Sequence, residues 1–171
     1  MNVVFKNSIR FVLFVMLQAL VFNQIEIGFG IHIMVQPLFI MLLPFETGVF
    51  TLMILGFALG LIIDVFSNTY GLHASSLLLM AYVRPIIFKF YGPREGYDPL
   101  KEPSVFDMGS RWFLFVFGYL ILIHHFWYFL VEIFRFDQFL LILQKTIFSV
   151  IISYLLCIVL QTFLVKKSKT K

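Results

Sequence analysis

Gly56, Gly60 and Asp64 stand four residues apart in an otherwise apolar run. On a helix that spacing stacks all three along one face. The two glycines allow a second backbone to approach closely, which matters in lipid, where no hydrophobic drive brings helices together. The carboxylate adds chemistry: an anion in hydrocarbon costs about 2.5–3.5 kcal/mol on insertion scales and turns inward to a partner. Asp64 also sits at the C-terminal end of its helix, where the dipole disfavours an anion by a few tenths to about 1 kcal/mol. A compensating group is therefore expected. His73, across the turn at Gly71-Leu72-His73, is the nearest, and Arg135 or Lys145 would have to arrive from elsewhere. Three readings of Asp64 stay open: a paired structural lock with Gly71 and His73, a carboxylate reaching interfacial water, and a proton or ion pathway.

Other reactive residues point less far. Gly71 is expected to take a positive φ, or to allow a close approach, as the chain turns back. His124 and His125 are about 100° apart on a helix and do not converge as metal ligands. With Trp127 and Tyr128 after them, they read as part of an aromatic belt at the headgroups. Arg84 and Lys89 read as side chains snorkelling to the interface, and Pro37 and Pro85 as kinks or helix ends. Ser75, Ser76 and Ser153 have no base placed beside them by sequence, and no phosphate-binding glycine loop, Walker sequence, paired cysteines or HExxH is present. No catalytic, cofactor or metal site is expected, and Cys157, the single cysteine, has no partner for an intrachain disulfide.

The elements that carry these residues are membrane helices. Of 171 residues, 61% are apolar and 13% charged, with 23 phenylalanines, whereas a soluble chain is roughly half apolar and about a quarter charged. That composition excludes a soluble enzyme, a disordered adaptor and a secreted disulfide scaffold. A span needs about 20 residues, and six segments fit, near 9–27, 31–43, 48–66, 72–90, 111–131 and 138–165. The second is short, so a tilted, re-entrant or interfacial course stays open for it. The first reads as an uncleaved span, not a signal peptide. The fold expected is an all-α, compact bundle of about six transmembrane helices, a single polytopic domain over 1–171.

Net charge is +4, but the basic residues flank the spans and crowd the tail at Lys166, Lys167, Lys169 and Lys171, which marks membrane orientation, not nucleic-acid binding. Lys6, Arg10, Arg84, Lys89, Arg94, Lys101, Arg111 and the tail fall on one side, Arg135 and Lys145 on the other, which predicts both termini in the cytoplasm. The polar stretch 91–110 then forms a cytoplasmic loop, either a flexible contact surface or a connector, with Arg94 and Lys101 beside the tail lysines Lys166 and Lys167 as candidate contacts.

The run Gly56-x-x-x-Gly60-Leu-Ile-Ile-Asp64-Val-Phe-Ser67, followed by Tyr70-Gly71-Leu72-His73-Ala74 and an apolar helix, resembles the rod shape-determining MreD family. Its members show Gly-Leu-x-x-Asp-Leu-x-Ser, a short turn and Gly-Leu-x-Ala/Ser. The specific match falls between about positions 50 and 79; elsewhere the likeness is one of length and hydropathy. The resemblance implies a non-enzymatic inner-membrane scaffold of the bacterial elongation complex that binds MreC. It also implies MreB, RodA and a class B penicillin-binding protein as co-workers in peptidoglycan synthesis, and a fold similar to the S components of energy-coupling-factor vitamin transporters. Gly56 and Gly60 would pack within the bundle or against the MreC span. A small-solute-binding subunit of the S-component type is the alternative, and a homo-oligomer is compatible with either.

Overall fold

The computed structural model describes residues 3–25, 27–98 and 101–165, and the regular elements among them are all helical. Helix α1 (Val3–Met16) runs on through a wide π turn (Leu17–Val21) and a tight 3-10 turn (Phe22–Gln24). It is followed by α2 (Pro37–Leu42), α3 (Val49–Ser67), α4 (Leu72–Tyr91), a single turn α5 (Val105–Met108), α6 (Ser110–Ile133) and α7 (Phe139–Leu164). Four stretches, Val3–Gln24, Val49–Ser67, Ser110–Ile133 and Phe136–Leu164, are long and apolar enough to cross a membrane. The chain is a multi-pass membrane protein. Helix α4 matches them in length but carries His73, Arg84 and Lys89.

The outer surface agrees. On α7, Ile147, Ile151, Leu155 and Val159 recur every fourth residue and are each more than half exposed. Water would penalise such a stripe, whereas acyl chains solvate it.

The segment read as a second spanning helix is not one. Residues 31–35 belong to no regular element, and only Pro37–Leu42 coils, with Pro37 in the first turn, where its missing N–H is tolerated. The chain nonetheless passes from one end of the bundle to the other. His32 lies beside Glu132, near the end of α6, and Phe45 stacks on Tyr97, beyond the end of α4, with rings 4.2 Å apart. Non-helical backbone at membrane depth survives only where protein covers it. Here it forms the core: every residue from Met34 to Leu43 is buried.

The bundle therefore has two distinct ends. At the Glu102 end, Lys6 and Arg10 from α1 both reach the Glu102 carboxylate, and Arg10 also donates to Leu164 O at 3.2 Å. The 91–110 stretch is thus tied into the bundle, although Arg94 and Lys101 themselves are exposed. Lys166 and Lys167 lie outside the described residues. The opposite end gathers Asp64, His73, Glu132 and Lys145.

Candidate functional site

Helices α3 and α4 form a hairpin around the singled-out residues. Helix α3 ends at Asn68 in the left-handed conformation (φ 52°), and Gly71 (φ 84°) begins the next helix as its N-cap. A glycine cap leaves the first N–H groups of α4 without the side-chain acceptor that Ser, Asp or Asn would supply. Asp64 supplies it from the neighbouring helix. Its Oδ1 accepts from the His73 N–H at 3.0 Å and its Oδ2 from the Ala74 N–H at 2.9 Å. Thr69 Oγ1 donates to Oδ1 at 2.5 Å, and His73 Nδ1 lies 2.9 Å from the same oxygen. A carboxylate there makes Nδ1 the protonated nitrogen of His73.

The compensation for an anion at a helix C-terminus is thus the positive N-terminal end of α4 together with His73. Arg135 and Lys145 play no part in it: Arg135 pairs with Asp137 at 2.8 Å, and Lys145 with Glu132 at 2.9 Å. Asp64 is 3% exposed, so it does not project into interfacial water.

The glycines permit this geometry. A Cβ on Gly60 would lie 2.5 Å from both Cα and N of Ala74, and one on Gly56 would lie 3.0 Å from Leu77 O. Both glycines therefore pack against the α4 backbone and are buried. The alternative, a glycine face presented to a partner span, fails because α4 already occupies it.

A second polar system, unforeseen from the sequence, supports the non-helical passage. Gln18, on the π turn of α1, accepts from the Val35 N–H and donates to Ile33 O, each at 2.8 Å. Its amide nitrogen also lies 2.6 Å from Asn23 Oδ1, and Asn23 donates to Ser67 Oγ, tying α1 to the end of α3. From α7, Ser149 Oγ accepts from the His32 N–H at 3.0 Å and Ser153 Oγ from the Met34 N–H at 2.9 Å. Such side chains replace the hydrogen bonds that a helix would have made internally.

His124 and His125 belong to this interior and not to a surface belt. Both are fully buried. Their protons find a single consistent arrangement with both rings neutral. His125 Nδ1 donates to Ile121 O at 2.9 Å, which leaves Nε2 to accept from Ser153 Oγ at 3.1 Å. Ser76 Oγ donates to Leu72 O at 2.7 Å, and so accepts from His124 Nε2 at 3.2 Å. His124 Nδ1 is then an acceptor facing His125 Nδ1 at 3.4 Å. Sequence spacing hid this, because adjacent histidines on one helix reach different neighbours, α4 and α7. The saturation is not complete: among the described residues Gln36 is buried with neither amide atom hydrogen-bonded, and Gln161 Nε2, Arg10 Nε and Arg84 Nε are likewise buried without a partner.

Arg84 also departs from its expected place. It is 1% exposed and turns inward, donating through Nη2 to the carbonyls of Leu43, Met41 and Pro44. These are the orphan acceptors at the end of α2 and just beyond it, so Arg84 caps a broken helix, as Asp64 caps α4.

Between α1 and α3 lies an apolar groove of about 540 Å³, lined by residues that include Ser8, Phe11, Val12, Thr51, Leu55 and Ala58. Among the described residues no group of three or more His, Cys, Asp or Glu could hold a metal ion. No family model matches the chain, and neither a curated protein nor a solved structure matches it.

Proposed function

We propose that the chain is a non-enzymatic scaffold of the bacterial elongation complex, resident in the inner membrane with both termini cytoplasmic, and that it docks the single span of MreC. The observation that carries this reading is the convergence of the motif residues on one another. Gly60 lies against Ala74, and Asp64 caps the helix that begins at Leu72. Residues that carry the resemblance to MreD thus build a rigid hairpin, with their polar atoms spent inside it. A scaffold needs such rigidity in order to present a constant surface.

Because the glycine face is filled, the docking surface for MreC is assigned to the groove between α1 and α3. Its small residues, Ser8, Thr51 and Ala58, allow the close helix approach on which association in lipid depends. Exposed Arg94 and Lys101, with the tail lysines Lys166 and Lys167, would face the filament-side partner MreB, or anionic lipid. The S-component reading draws on a cavity of about 320 Å³ at the Asp64 end that includes Asn23 and His32. Asn23 is already engaged with Gln18 and Ser67, so few free polar groups converge there.

The test is deletion in the native rod-shaped cell, complemented with wild type or with Ala58→Phe, which fills the groove. Expected are rounded cells on deletion, MreC co-purifying with wild type, and loss of MreC with the variant. Rods that persist on deletion, with no MreC recovered, would overturn the proposal; MreC retained by Ala58→Phe would remove the groove from it.

A further inference from the structure

Two cations and a cavity at the Glu102 end are left unexplained by the scaffold reading. The cavity, about 210 Å³, is bounded by Phe45, Thr47, Arg84, Pro85, Phe88, Lys89 and Tyr97. Arg84 is the buried charge beneath it. All three of its hydrogen bonds run through Nη2, while Nε is buried with no partner. Among the described residues no carboxylate forms an ion pair with Arg84 or Lys89. Glu46, nearest in sequence on the adjoining turn, is exposed and does not line the cavity.

A buried guanidinium without a counter-ion is costly, and backbone carbonyls offset only part of that cost. Its charge is felt strongly across a low-dielectric wall. Lys89, one turn later on α4 and exposed, puts a second cation at the cavity's edge. Of the remaining walls three are aromatic, Phe45, Phe88 and Tyr97, beside Thr47 and Pro85. Phe88 lies under the guanidinium at 4.3 Å, and Phe45 and Tyr97 stack on each other, with Trp112 against both. Tyr and Trp at the end of a membrane helix mark the headgroup level. Burial holds the Tyr97 hydroxyl above the ordinary tyrosine range, so it stays a neutral donor, engaged with Phe88 O at 2.7 Å.

We infer that this cavity binds a phosphate anion, with Lys89 contacting its oxygens, Arg84 supplying charge from below, and the aromatic rim taking the apolar part of the ligand. A phospholipid headgroup and free phosphate share that chemistry; the aromatic walls and headgroup depth favour the lipid.

Trp112, packed against the Phe45 and Tyr97 walls, serves as the reporter, with the second tryptophan silenced by Trp127→Phe. Full-length protein in neutral detergent would be titrated with phosphatidylglycerol in mixed micelles, with diacylglycerol of the same chains, and with inorganic phosphate, following tryptophan emission. Saturable binding of phosphatidylglycerol but not diacylglycerol is expected, weakened about tenfold by Lys89→Gln, as one lost charge-assisted contact predicts, and unchanged by Lys101→Gln. Phosphate binding as tightly as the lipid would keep the anion site and assign it to a soluble ligand. Lys89→Gln is the informative variant because it leaves the Arg84 cap of α2 intact, whereas Arg84→Gln would disturb the fold. Equal responses to the charged and uncharged lipids, or unaltered affinity in Lys89→Gln, would overturn the inference.

Discussion

Replacing Gly60 with alanine adds one methyl group, and the structure says where it goes. The new Cβ would lie 2.5 Å from Ala74 Cα and N and 2.6 Å from His73 C. Carbon–carbon contacts are comfortable at about 3.5–4.0 Å, so α3 and α4 must separate by roughly 1 Å. The obstacle is backbone, which cannot swing aside as a side chain would. Asp64, one turn further along α3, moves with Gly60 and is drawn away from the His73 and Ala74 amides it holds at 3.0 and 2.9 Å. Overpacking costs about 1–3 kcal/mol and a lost cap about 1 kcal/mol, so Gly60→Ala should destabilise the protein by roughly 2–4 kcal/mol. Gly56→Ala meets Leu77 O at 3.0 Å and the flexible end of Ile40 at 3.3 Å, and should cost about 1 kcal/mol, the low end of overpacking. Gly118, inside α6, has nothing within 4 Å of its would-be Cβ, so Gly118→Ala should be neutral or stabilise slightly through helix propensity. Unfolding midpoints of the three variants in one detergent provide the assay. If Gly60→Ala and Gly118→Ala unfold together, the hairpin contact does not hold the bundle.

Two further substitutions test the polar systems. Asp64→Asn keeps the shape but turns an amide N–H towards a backbone N–H, and should lower stability by about 0.5–2 kcal/mol, the range for lost caps; Asp64→Leu should do worse, and silence of both in the same unfolding assay would end the capping account. Gln18→Leu strands the Val35 N–H and the Ile33 carbonyl at about 1–3 kcal/mol each, and should speed amide exchange across 31–36; unchanged exchange there would show that the non-helical passage does not depend on Gln18.

Some of this protein was legible in its residues alone. Composition and span length determine a helical membrane bundle, since only internally hydrogen-bonded backbone survives in lipid. The four-residue spacing of Gly56, Gly60 and Asp64 determines their common face, and Gly71 and His73 follow too closely in sequence to lie far away. Tertiary structure decided what that face meets. Asp64 compensates its own helix end by capping another helix, which no periodicity along α3 contains. The passage at 31–43 escaped for the same reason: whether an apolar stretch coils throughout or stays partly irregular depends on whether side chains elsewhere can take up its amide groups. Gln18, Ser149 and Ser153 do so from 15 to 119 positions away. Arg84 and His125 likewise look like interfacial residues until the carbonyls and hydroxyls that satisfy them are brought alongside. Local patterns decide which segments enter the membrane; long-range hydrogen bonding decides which polar groups can remain there.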